Sequence, residues 1–180
     1  MRTLPRFLLV LLLSAKLFSA PNSLLIYPKG VGPIRLGMTI EEARKAAPTW
    51  KFLETIDDEE APCIDVRSDN KVILRFFMYS YRFGSKKRGP EIAEIVVLSP
   101  MFSTTDGIRY GTLLSEIEKH WGKFLSAVRS DNRAVQFANF QNQPKWLWVS
   151  INGSVIKNPN QKSINSYPSG TRIGYIVIGV

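Results

Sequence analysis

Cysteine and histidine are nearly absent from this chain of 180 residues: Cys63 and His120 each stand alone. One cysteine forms no intramolecular disulfide, and its neighbours Pro62 and Ile64 mark it as a small buried side chain. So few ligands and bases leave no set for a charge-relay triad or a zinc centre. A reactive thiol would need a base beside it, and nothing in the sequence brings His120 to Cys63. His120 follows Glu116 by four residues in a predicted helix, which makes the two a surface pair on one helix face.

Other catalytic signatures are missing as well. The acidic run Asp57-Asp-Glu-Glu60 lacks the alternating oxygen ligands and central glycine of a calcium loop, so it reads as a solvated loop. Gly30-Val-Gly-Pro33 lacks the Lys-Ser/Thr of a phosphate loop. Asp65 and Glu94 are carboxylates on predicted neighbouring strands, the type of pair a glycosidase uses, but nothing else in the sequence selects them. The expectation is a non-catalytic protein with no cofactor and no metal.

Long apolar runs are also lacking. The longest near the start, Phe7 to Leu13, falls well short of the ~20 residues a membrane-spanning helix needs. With Arg2 and Arg6 before it, it reads as the core of a signal peptide over residues 1–20. Export to the periplasm or the extracellular space is therefore expected, with no stable membrane anchor. No cysteine near Ala20 supports lipid attachment. Without Arg2, Arg6 and Lys16, the 24 basic residues fall to 21 against 15 acidic ones, a net charge of +6. That excess suits a protein partner with an acidic surface. Nucleic acid is a poor partner for an exported chain, and the basic residues are scattered apart from Lys86-Lys87-Arg88, which reads as a hairpin tip.

What is present is a repeat. Pro33-Ile-Arg-Leu-Gly-Met-Thr-Ile-Glu-Glu-Ala-Arg-Lys-Ala-Ala-Pro48 recurs 74 residues later as Gly107-Ile-Arg-Tyr-Gly-Thr-Leu-Leu-Ser-Glu-Ile-Glu-Lys-His-Trp-Gly122. In the first copy Thr39 and Glu42 form a capping box, with acidic residues at the helix start and Arg44 and Lys45 near its end. Pro48 stops the helix. In the second copy Leu113 replaces the capping Thr39, leaving Thr112 as a candidate cap. Period-two alternation predicts strands at 64–66, 72–83, 92–98, 134–140, 146–151 and from 171 onward. The ends of the halves also match, Ile92-Ala-Glu-Ile-Val-Val-Leu98 against Ile173-Gly-Tyr-Ile-Val-Ile-Gly179, at an offset of 81. The polar stretch 152–170 takes up the difference. The expected fold is α+β: two tandem helix-plus-three-strand repeats, residues 21–104 and 105–180, forming one antiparallel sheet with helices on one face.

The helix starts, Ile34-Arg-Leu-Gly-Met-Thr-Ile-Glu-Glu-Ala and Gly107-Ile-Arg-Tyr-Gly to Trp121-Gly122, resemble the Gly-Met-Thr-x-x-Glu starts of small exported bacterial envelope proteins. That group includes the β-lactamase inhibitory protein and the small lipoprotein of the barrel-assembly machinery. The resemblance implies protein binding and no catalysis. This chain lacks the lipoprotein cysteine and the inhibitor's disulfides, so neither specific role is implied.

If Val72, Leu74, Phe76 and Met78 face the helices, Arg75, Phe77, Tyr79 and Tyr81 face away. The same alternation puts Trp146 and Trp148 outward beside Leu147 and Val149, and Tyr175 outward beside Ile176. Large aromatics with an arginine are the residues of protein-binding hot spots. The expected site is thus Arg75, Phe77, Tyr79, Tyr81, Trp146, Trp148 and Tyr175, taking a protein or, as the alternative, a glycan or small ligand on the same platform. The competing structural reading makes these side chains cross-strand ladders.

Overall fold

The computed structural model describes residues 24–57, 60–78, 89–130, 135–158 and 160–179. The signal peptide expected over 1–20, Tyr79, Tyr81 and the Lys86–Arg88 triplet lie outside the described residues. Three two-residue strands, β1 (Ile26–Tyr27), β2 (Gly30–Val31) and β3 (Ile34–Arg35), form a small antiparallel sheet. Helix α1 (Ile40–Ala46) leads into β4 (Lys51–Ile56), β5 (Pro62–Ser68), β6 (Lys71–Phe77) and β7 (Glu94–Val97). Helix α2 (Leu114–Trp121) leads into β8 (Phe124–Arg129), β9 (Gln136–Phe140), β10 (Leu147–Ile151), β11 (Ser163–Ile164) and β12 (Ile173–Gly179). The last nine strands make one sheet in the order β11-β8-β9-β10-β12-β7-β6-β5-β4, with every ladder antiparallel.

The expected fold class is corrected by this arrangement. The described chain is mostly β, with sheets of three and nine strands and only two short helices; it is not a helix-plus-three-strand repeat backed by a helical face. Two physical features explain the difference. Pro48 and Gly122, the latter with φ of 75°, follow helices of seven and eight residues, too short to make a layer. The segments Lys51–Ile56 and Phe124–Arg129 each bury a single side chain, Phe52 and Ala127, so no clear alternation betrays them as strands. The polar insert adds β11, and the lead-in adds the small sheet.

The two copies of the motif make equivalent backbone bonds. Gly37 N–H donates to the Ile92 carbonyl at 2.8 Å, and Ile92 N–H donates to Met38 at 2.7 Å. In the second copy Gly111 N–H donates to Ile173 at 3.1 Å, and Ile173 N–H donates to Thr112 at 2.9 Å. Both glycines hold positive φ, 86° and 82°, which explains glycine at both positions. Each motif therefore ties the start of a helix to the chain entering a central strand, β7 or β12, and those two strands pair with each other.

At the helix starts the copies diverge. Thr39 Oγ1 accepts from Glu42 N–H at 3.2 Å while Glu42 Oε2 accepts from Thr39 N–H at 2.8 Å, the reciprocal box. In α2 the N-cap is Leu113, not Thr112. Thr112 Oγ1 instead accepts from Arg109 N–H at 3.0 Å, and only Glu116 closes back, on Leu113 N–H at 3.3 Å.

The larger core lies on one side of the nine-stranded sheet. Strand register lines up Phe76, Ile95, Ile178 and Leu147 in one row, and Leu74, Val97, Ile176, Val149 and Ala138 in the next. Ala43 of α1 and Leu114, Ile117 and Trp121 of α2 join this cluster, as do Val31 and Ile34 of the small sheet. Inside the insert, Ile156 is fully buried because Gln136, itself 2% exposed, accepts from the N–H groups of Val155 and Ile156 at 2.9 Å.

Candidate functional site

The other side of the nine-stranded sheet carries the candidate site. Antiparallel register places Leu53, Asp65, Arg75, Val96, Val177 and Trp148 in one transverse row across six strands. The adjoining row contains Tyr175, Ser150, Phe137 and Val128. Cross-strand neighbours on one face stand ~4.5–5.5 Å apart, so these side chains form a continuous surface. At its centre Cys63, Phe77, Val96, Phe137 and Val177 are buried and make a second, smaller core. Trp148 and Tyr175 are half-buried and pack on it. Both meet Phe137 edge-on, with ring centroids at 5.4 and 6.3 Å, the geometry aromatic quadrupoles prefer. At the flanks the surface opens: Leu53 is 45% and Val128 39% exposed.

Arg75 does not reach outward. Its Nε donates to Asp65 Oδ1 at 2.7 Å and its Nη2 to Oδ2 at 3.4 Å, a two-point pair on adjacent strands. Burial opposes the arginine's charge, but the hydrogen bond and charge of Asp65 outweigh it and hold the Arg75 pKa above its usual value. Asp65 and Glu94 do not stand on neighbouring strands as expected: β6 lies between β5 and β7, and Asp65 is paired with Arg75. Burial also pushes the Cys63 thiol up to about 11, with Arg75 opposing and Asp65 and Asp57 adding to the rise. A thiol so protonated is a poor nucleophile. Among the described residues no three metal-binding side chains converge.

Of the seven predicted site residues, Arg75, Phe77, Trp148 and Tyr175 share this face. Tyr79 and Tyr81 lie outside the described residues. Trp146 is on the other side, packed against the larger core. Alternation with Trp148 placed it wrongly because β10 starts at Leu147 and the chain turns at Lys145–Trp146, where strand parity does not apply. Antiparallel pairing sets Tyr175 against Ser150 and Glu94 against Gly179. The sequence reading missed Phe137, the hub of the face, although its alternation with Ala138 in a predicted strand was available as a signal. It also missed Leu53 and Val128, which sit on the two strands whose apolar pattern is weakest.

No family model and no curated protein matches the chain. Among solved structures it is similar to the uncharacterized protein yfeY from Escherichia coli, with a TM-score of 0.58 at 11% identity over 85% of this chain and 97% of that one. At that identity the likeness extends to the fold alone.

Proposed function

We propose that this is a non-catalytic exported protein that binds another protein through the smaller-core face of its nine-stranded sheet, in the manner of an assembly factor or an inhibitor. The observation that supports it most is the gradation across that face. Phe77, Phe137 and Val177 are buried at the centre, Trp148 and Tyr175 are half-buried beside them, and Leu53 and Val128 are exposed at the flanks. Half-exposed aromatics anchored on a rigid apolar floor contribute large contact area at little cost in rotamer entropy, which is how binding hot spots are built. Arg75 supports the face from within through Asp65, and the positive net charge favours a partner with an acidic surface. No helix among the described residues is long and apolar enough to cross a membrane.

The test uses exposed positions so that folding and binding separate. Leu53→Glu and Val128→Glu place charges at the flanks of the face. The wild type is expected to retain a defined protein from envelope extract, and each variant to melt normally while losing that retention by about tenfold or more. Retention unchanged in both variants contradicts the reading, and so does binding of glycan fragments with no protein retained.

A further inference from the structure

A cleft of about 420 Å³ lies away from the aromatic face, between the loop 106–112 and the exposed side of α2, with Arg172 at its rim. Its size is within the ~300–1,000 Å³ range of small-molecule sites and far exceeds one inorganic ion. Four cationic or imidazole side chains line it: Arg109, Lys119, His120 and Arg172. Arg172 Nη1 donates to the Gly111 carbonyl at 2.8 Å, which fixes it at the rim. The described hydrogen bonds and ion pairs engage none of the side chains of Arg109, Lys119 and His120.

Asp106 and Glu116 also line the cleft, so three guanidinium or ammonium groups (Arg109, Lys119, Arg172) face two carboxylates there and leave an excess of one positive charge. Asp106 Oδ2 accepts from Trp121 Nε1 at 3.1 Å, and Glu116 Oε2 accepts from Leu113 N–H at 3.3 Å. Both residues are exposed, and a carboxylate accepts from hydroxyl donors. Cations that lack a partner recognise an anionic group, and fixed carboxylates recognise hydroxyls.

We propose that this cleft binds an acidic sugar, a hydroxyl-rich small molecule carrying one phosphate or carboxylate group. Arg109, Lys119 and Arg172 hold the anionic group, and Asp106 and Glu116 accept from the ring hydroxyls. The site is independent of the protein-binding face, since Trp148 and Tyr175 do not line it.

Calorimetric titration of the full chain with glucose 6-phosphate, glucuronic acid, glucose and inorganic phosphate tests this. At least one acidic sugar is expected to bind about tenfold or more tightly than either glucose or phosphate, because each of these lacks one class of contact. The double variant Arg109→Ala/Lys119→Ala, at exposed positions, is expected to weaken that binding by about tenfold or more at an unchanged melting temperature. No binding of either acidic sugar overturns the proposal. Glucose or phosphate binding as well as the acidic sugars overturns it too, as does full affinity in the double variant.

Discussion

At Asp65 the carboxylate takes two N–H bonds from Arg75 on the next strand, with the side chains 8% and 24% exposed. Removing one partner of a buried pair strands the other charge, which costs far more than the pair's net worth. Asp65→Asn is therefore expected to destabilise the protein by about 2 kcal/mol, discounted for the partial exposure of Arg75. The surface pair Glu41–Lys45, at 2.9 Å but 78% and 74% exposed, offers the contrast: Glu41→Gln should shift stability by less than about 0.5 kcal/mol. Urea unfolding of the two variants checks both values. Cys63 is buried, as its apolar neighbours Pro62 and Ile64 implied, and its thiol is pushed up to about 11. An aromatic disulfide reagent at pH 8 should leave the native protein unlabelled and label one thiol per chain in denaturant. Rapid labelling of the native state would refute the buried placement. Asp65 itself was visible in the sequence as a carboxylate, but its partner was not. A pairing across strands depends on register, which single-strand patterns do not contain.

Among the elements, legibility followed the strength of alternation. The inward sides of β6, β10 and β12 were readable at Leu74 and Phe76, Leu147 and Val149, and Ile176 and Ile178. A register shift in the β5–β6 ladder, however, puts Ile73 in the core beside Leu74, so the alternation fails at Val72. In β4 and β8 one buried side chain per strand gave no such signal, and with them went the strand count and the fold class. Thr39 and Glu42 announced the start of α1, whereas α2 begins at Leu113 with no side-chain cap and is secured by contacts further along. One of these crosses 49 residues to the polar insert. Tyr167 OH donates to Glu118 Oε2 at 2.6 Å, and Phe124 N–H donates to Glu118 Oε1 at 2.8 Å. The Phe124 N–H and then the Tyr167 hydroxyl hold the Glu118 carboxyl below its usual value. Burial, and then the Glu118 bond, push Tyr167 up to about 12. For a depressed carboxyl, the contribution to stability is present above its unfolded pKa, about 4.3, and is lost as pH falls through the folded value. For the raised tyrosine it is present below about 10 and is lost as pH rises toward about 12. In denaturant titrations, the wild type should thus lose more stability than Glu118→Gln both below about pH 4.3 and above about pH 10. Parallel profiles would show that this contact carries no linkage.

For the molecule as a whole, the two motif copies proved to be a fastening device. Gly37 and Gly111 tie the helix starts to Ile92, two residues before β7, and to Ile173, the first residue of β12, and these two central strands pair with each other. Nothing in the sequence motif disclosed those partners. Only the recurrence of both segments, at offsets of 74 and 81, hinted that helix start and strand entry belong together. The sheet so built has two apolar faces of unequal character, one closed over by the helices, the small sheet and Ile156, the other graded from buried Phe137 to exposed Leu53 and Val128. The central claim is that the graded face meets a protein, and site-specific photo-crosslinking in the intact cell envelope tests it most directly. A photoreactive residue replacing Val128 is expected to give one discrete heavier adduct, and the same residue replacing exposed Glu41 on α1 none. Absence of an adduct at position 128, or the same adducts at both positions, would contradict the claim.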